Sequence, residues 1–133
     1  MLLPHGTVVA VVDGEKLELF RNTGNETAPE LSAMDAPKLD GHNKDAGARH
    51  QSSSANPGHQ LEEDGHAAGV AAWLNQQVTA HKIEHLVVIG APRTLGELRR
   101  RYDKSLEAVL IGELNKELVG RSAAEILEAL QPK

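Results

Sequence analysis

Residues 7–22 read TVVAVVDGEKLELFRN. Thr7 to Val12 is an unbroken run of small and β-branched residues, the signature of a strand buried on both faces. Asp13-Gly14 follows, a dipeptide suited to a type I′ hairpin turn, in which both central positions need positive φ. From Lys16 to Asn22 the pattern alternates, with Leu17 and Leu19 on one face and Lys16 and Glu18 on the other. That alternation predicts a half-exposed antiparallel strand.

Downstream, the turn-rich NTGNETAPE leads to a weaker extended segment, Leu31 to Leu39, with a proline at 37. Proline removes a ladder donor, so this segment is expected at the edge of a three-stranded meander. Residues 40–60, DGHNKDAGARHQSSSANPGHQ, contain no Val, Ile, Leu, Met or aromatic residue and predict a long polar loop.

Helical periodicity begins at Leu61. Ala67, Val70, Ala71, Leu74 and Val78 form one apolar stripe at i, i+3, i+4, i+7 and i+11. Glu62, Glu63 and Asp64 would occupy the first turn, where the helix dipole favours acids. Leu86 to Ile89 predicts a short buried strand, ended by Gly90-Ala91-Pro92. Thr94-Leu-Gly-Glu97 has the form of a capping box opening a basic helix that runs to Tyr102 or Lys104. Residues 108–117 are ambiguous, with Val-Leu-Ile and Gly112 favouring a strand. Ser122-Ala-Ala-Glu125 is a second capping box, with Ile126, Leu127 and Leu130 on the inner side of the last helix.

The resulting order, β-β-β-α-β-α-β-α, predicts an α/β fold (an α+β mixed sheet) of ribonuclease-H-like architecture. A single domain over 1–133 is expected, with a flexible loop at about 41–60 between the third strand and the first helix. A chain of 133 residues suffices to bury its own core. Cysteine is absent, which excludes disulfides and thiolate chemistry within the chain. No stretch reaches the ~20 apolar residues of a membrane span. The N-terminus lacks the charged region and cleavage site of a signal peptide. A cytoplasmic location without membrane insertion is therefore expected.

Net charge is −5, but it is unevenly spread. Between Arg93 and Lys104, five basic residues (Arg93, Arg99, Arg100, Arg101, Lys104) face two acids, Glu97 and Asp103, a local excess of three positive charges. The remainder carries a net charge of −8. Phe20, Trp73 and Tyr102 are the only aromatics, too few for a base-stacking platform.

Three other chemistries find only partial support in the residues. A two-metal nuclease would place Asp13 with Glu62, Glu63 or Asp64, but the fourth strand ends without an acid. His42, His50, His59 and His66, with Asp40, Asp45 and Glu62 as nearby oxygen donors, follow no zinc spacing, and the histidines read as solvated loop residues. His81 and His85 flank a helix-to-strand junction and would not share a face. Ser52 to Ser54 after His50 lack a nucleophile elbow. No metal and no cofactor are expected. Gly90-Ala-Pro-Arg93-Thr94 is the stronger signal. There a helix N-terminus follows a buried strand with an arginine beside it, a setting that binds anions. In the long loop, Lys44, Arg49, His42 and His50 could also meet phosphate.

The words MLLPHGTVVAVVDGEKLELFRN, DGHNKDAGARHQSSSANP, LEEDG, AAGVAAWLN and APRTLGELRRRYDKSL resemble the bacterial host-attachment protein family over nearly the whole chain. That family is similar in turn to the middle, ribonuclease-H-like domain of archaeal and eukaryotic peptide-chain release factors. In those factors a loop of this placement carries Gly-Gly-Gln into the peptidyl-transferase centre. Here the corresponding stretch is Gly47-Ala48-Arg49-His50-Gln51, and Gly-Gly-Gln is missing.

The resemblance implies a ribosome- or tRNA-directed RNA-binding domain without DNA specificity. Its phosphate contacts would come from Lys44, Arg49, His50, Arg93, Arg99, Arg100 and Arg101. Hydrolysis of peptidyl-tRNA or a similar ester, with His50 and Gln51 as weak catalytic candidates beside Arg49, is the alternative. A protein-interaction module acting in host attachment is a third reading. The sequence leaves the oligomeric state open.

Overall fold

The computed structural model describes the backbone of residues 1–37 and 58–131, and the side chains of 1–37 and 65–131. Five strands form one mixed sheet: β1 (Val8–Val12), β2 (Leu17–Asn22), β3 (Leu31–Met34), β4 (Leu86–Gly90) and β5 (Leu110–Asn115). The described helices are α1 (Gly58–Thr79), α2 (Pro92–Arg99), α3 (Lys104–Val109) and α4 (Ala123–Leu130). Strand order is β3-β2-β1-β4-β5. The β1–β2 and β2–β3 pairs are antiparallel, and the β1–β4 and β4–β5 pairs are parallel. This is the mixed α/β sheet that the sequence pattern calls for.

All five residues of β1 are buried. Val8, Ala10 and Val12 join Leu19, Leu86 and Val88 on one face, covered by Ala67, Val70, Ala71, Leu74 and Val78 of α1. Leu95 and Leu98 of α2 and Leu106 of α3 complete that core. Val9 and Val11 join Phe20, Val87 and Ile89 on the opposite face, beneath Ile126 and Leu130 of α4. The apolar stripe read in α1 is thus the face that meets the sheet.

Several local expectations are corrected. The β1–β2 turn is not type I′, since no residue from 13 to 16 has positive φ. Instead, Asp13 Oδ1 accepts the N–H groups of Glu15 (2.8 Å) and Lys16, and the Asp13 N–H donates to the Lys16 carbonyl. The side chain closes the turn that a left-handed backbone would otherwise have closed.

β2 is not half-exposed, because Phe20 and Asn22 are buried on its second face. There the Asn22 carboxamide donates to the Leu3 carbonyl (2.7 Å) and accepts the N–H groups of Gly24 and Glu30 (both 2.9 Å). β3 is the expected edge strand, but it stops at Met34 rather than Leu39. The residue before a proline is biased away from regular pairing, and Pro37 itself cannot donate.

α1 begins at Gly58, so its first turn contains no acid and Glu62 to Asp64 fall later. α2 begins at Pro92 with Ala91 as N-cap, which places Thr94 inside the helix rather than at its cap. Proline at the first helical position has its φ already set and no N–H to leave unpaired. The basic segment does not continue to Lys104 as one helix. It ends at Arg99, and α3 starts after Asp103, an element not foreseen, so the order is β-β-β-α-β-α-α-β-α. β5 lies within the ambiguous 108–117 stretch, with a register irregularity between Leu86 and Val87 of its partner. The Ser122–Glu125 capping box is present. Its serine N–H and hydroxyl bonds hold the Glu125 carboxyl below the usual range.

α1 closes with a Schellman pattern: the His81 N–H donates to the Val78 carbonyl and the Lys82 N–H to the Gln77 carbonyl. His81 therefore occupies the left-handed region, φ 62°. Replacing it by glycine is expected to raise stability by about 0.5–1 kcal/mol in denaturant unfolding. Gly96 lies inside α2 with nothing near the position of an added Cβ. Gly96→Ala is expected to stabilise by a similar amount, about 0.5–1 kcal/mol, visible as a higher Tm.

Candidate nucleic-acid interface

The basic segment is positioned by the end of β4. Gly90 packs closely there: a Cβ would lie 3.2 Å from the Val12 carbonyl oxygen and 3.5 Å from Thr94 Cγ2. The missing side chain lets α2 start directly over the ends of β1 and β4. Ala91, as N-cap, has no side-chain acceptor for the first-turn N–H groups. Arg93, Glu97 and Arg100 recur at i, i+4 and i+7 and share one helix face. Leu95 and Leu98 occupy the buried face.

Each guanidinium of the 99–101 run has a carboxylate beside it. Arg100 Nη1 is 3.3 Å from Glu97 Oε2, and Arg101 Nη2 is 3.7 Å from Glu97 Oε1. Such exposed pairs contribute only ~0–1 kcal/mol and exchange readily for another anion.

Arg99 differs. Its Nε and Nη2 donate to one oxygen of Glu113, Oε1, at 2.8 and 2.6 Å. Glu113 comes from β5, opposite Val88, and so from the sheet rather than from the helix. Its hydrogen bond, followed by its charge, raises the pKa of Arg99. With Glu113 included, the positive excess read from the Arg93–Lys104 window falls from three to two.

Tyr102 sits between α2 and α3 and packs against the core beneath α1. Asn75 of α1 holds the backbone on both sides of it. Its Nδ2 donates to the Arg101 carbonyl (2.9 Å), and its Oδ1 accepts the Asp103 N–H (3.0 Å). Burial, then the Glu113 carboxylate, push the phenol pKa upward, with Arg99 opposing. The phenol is therefore neutral across the physiological range.

The structure brings together Arg93, Arg99, Arg100 and Arg101 on α2 and its C-terminal turn. Lys44, Arg49, His50 and Gln51, like His42, Asp40, Asp45 and Ser52 to Ser54, lie outside the described residues. So do the side chains of His59 and of Glu62 to Asp64. His66, read as a solvated loop residue, lies within α1 and is 6% exposed. Asp13, the first nuclease candidate, is engaged in its turn. Among the described residues no group of three or more His, Asp or Glu side chains is placed to hold a metal ion. A cleft of about 280 Å³, lined by residues including Leu17, Leu19, Phe20, Met34 and Arg121, opens at the β2–β3 edge, across the sheet from the arginines. No helix among the described residues is long and apolar enough to cross a membrane.

Sequence reasoning passed over Glu113, Asn75 and Tyr102. No local signal marks Glu113: an acid alternating with apolar residues in a strand ordinarily faces solvent, and its partner here is set by the β4–β5 register. Asn75→Ala removes two hydrogen bonds to the α2–α3 link and is expected to cost roughly 1–3 kcal/mol. Chemical denaturation with an unchanged m-value would check this. If stability is unaltered, Asn75 does not hold the link.

Among curated proteins, none matches this sequence. A family model described as bacterial archaeo-eukaryotic release factor family 12 matches residues 6–130. Because that match spans nearly the whole chain, the protein belongs to this release-factor-related family.

Proposed function

We propose that this protein is a translation-associated RNA-binding domain directed to the ribosome or to tRNA. The family relation to release factors supports a place in translation. The observation that carries RNA contact is the exposed arginine run at the end of α2. Side chains of Arg99, Arg100 and Arg101 are 56%, 74% and 39% accessible. Arg93 lies on the same helix, about 9 Å of axial rise from Arg99. Arginine presents a planar fork of donors suited to phosphate oxygens. Lys44, Arg49 and His50 of the 41–60 stretch would add contacts from the insertion that release factors use to enter the ribosome.

The chain as a whole is acidic, at −5, so attraction must be local and short-ranged. Binding is thus salt-sensitive by construction. Gly-Gly-Gln is absent from the sequence, so the reading stops at binding and assigns no hydrolytic step.

Co-sedimentation with ribosomes, and titration of fluorescent bulk tRNA, are expected to show association at low salt that fades as salt rises. Replacing Arg99, Arg100 and Arg101 together by glutamine is expected to weaken binding at least tenfold. It should also lower the slope of log K against log salt by about two to three. Arg49→Ala is expected to weaken ribosome binding separately. No association with either particle at low salt would overturn the proposal.

A further inference from the structure

We propose that Glu113 is a positioning residue for RNA phosphate, holding Arg99 by its inner edge so that the outer edge of the guanidinium is presented to the ligand. This rests on the RNA-binding reading above and assigns a role within that same surface to an acid that simple charge counting would call unfavourable.

A guanidinium has five N–H donors in a rigid plane. Glu113 Oε1 takes one from Nε and one from Nη2, the two on the inner side. The remaining three point away from Glu113, on a side chain that is 56% exposed. Glu113 itself is only 18% exposed and is fixed on a strand paired with β4. Arg99 is therefore oriented from the sheet. Arg100 and Arg101 share one carboxylate from their own helix through single, longer contacts. Ordering a long side chain in advance removes entropy that binding would otherwise cost.

A phosphate arriving at this corner has two courses. It could displace Glu113, or it could bond the outer edge and leave the pair intact. Displacement would strand a half-buried carboxylate without its cation, which is strongly unfavourable. Its second oxygen, Oε2, is buried, as is the Tyr102 hydroxyl, and neither has a hydrogen-bond partner among the described residues. Solvent reaches the Arg99 side of the pair, but Glu113 is largely shielded and, among the described residues, has its one contact to a cation there. The phenol beside it is neutral and adds no competing charge. Retention of the pair is the lower-energy course, and Arg99 then bridges the protein carboxylate and the RNA phosphate.

The test exploits a difference in sign. Glu97→Gln and Glu113→Gln each remove one negative charge from the same surface. Electrostatics alone would make both variants bind RNA more tightly. If Glu113 positions Arg99, Glu97→Gln binds bulk tRNA about twofold tighter, whereas Glu113→Gln binds about three- to tenfold more weakly. Arg99→Lys keeps the charge but cannot offer two edges. It is expected to match the Glu113→Gln loss, and the two changes combined should cost little more than either alone.

Thermal unfolding establishes that each variant is folded. Because Arg99 is exposed, Arg99→Lys remains informative even if Glu113→Gln does not fold. Tighter binding by Glu113→Gln, or wild-type affinity in Arg99→Lys, overturns the positioning role while leaving RNA binding in place. Absence of tRNA binding by the unaltered protein overturns both.

Discussion

Everything in this molecule is arranged around a strand that cannot face water on either side. The five residues of β1 are all buried, and their side chains alternate between two separate cores. A strand of that composition at an edge, or in a sheet covered on one face only, would expose an unbroken apolar surface. The chain supplies two covers instead. α1, α2 and α3 close one face and α4 closes the other. The parallel pairing of β4 with β1 is part of the same solution, since β4 is also buried throughout and shares both cores.

That arrangement decides where chemistry can be placed. The connections that follow the carboxyl end of β4 emerge at the rim of the sheet, and the first of them carries the basic segment. Gly90 allows α2 to start close over the ends of β1 and β4, while Asn75 of α1 secures the α2–α3 link around Tyr102. The arginines therefore stand on a frame fastened to three elements. A basic run on a free segment would have similar charge but no defined direction.

Charge on this surface is a matter of pairing more than of quantity. The excess read along the chain is reduced by Glu113, which arrives from a different strand, and each arginine from 99 to 101 has an acidic neighbour. Pairs on the exposed helix face are weakly held and interchangeable. The Arg99–Glu113 pair, with its carboxylate largely out of solvent, fixes orientation. In a protein of net charge −5, the positive character of this surface is local and set by which cations have an acidic partner.

The sequence by itself determined the elements whose signals are local. These include the two-faced burial of residues 7–12, the five-residue stripe of α1, the buried 86–89 strand and the Ser122–Glu125 cap, each written in a window of a dozen residues or fewer. It also carried the relation to release factors. Tertiary structure decided the rest. Whether Asp13-Gly14 closes by left-handed backbone or by the Asp13 carboxylate depends on the two strands that must meet. The start of α2 is the exception and is local: Pro92, two residues before Thr94, sets it. The cover over Phe20 and Asn22 comes from segments distant in the chain. So does the partner of Arg99: fourteen positions separate it from Glu113, and only the β4–β5 register, with its irregularity beside Ile111, brings that acid under the helix. Periodicity and capping act between near neighbours and leave a mark in composition. The residue that lies opposite another across a sheet is set by register, for which single-sequence composition carries no code.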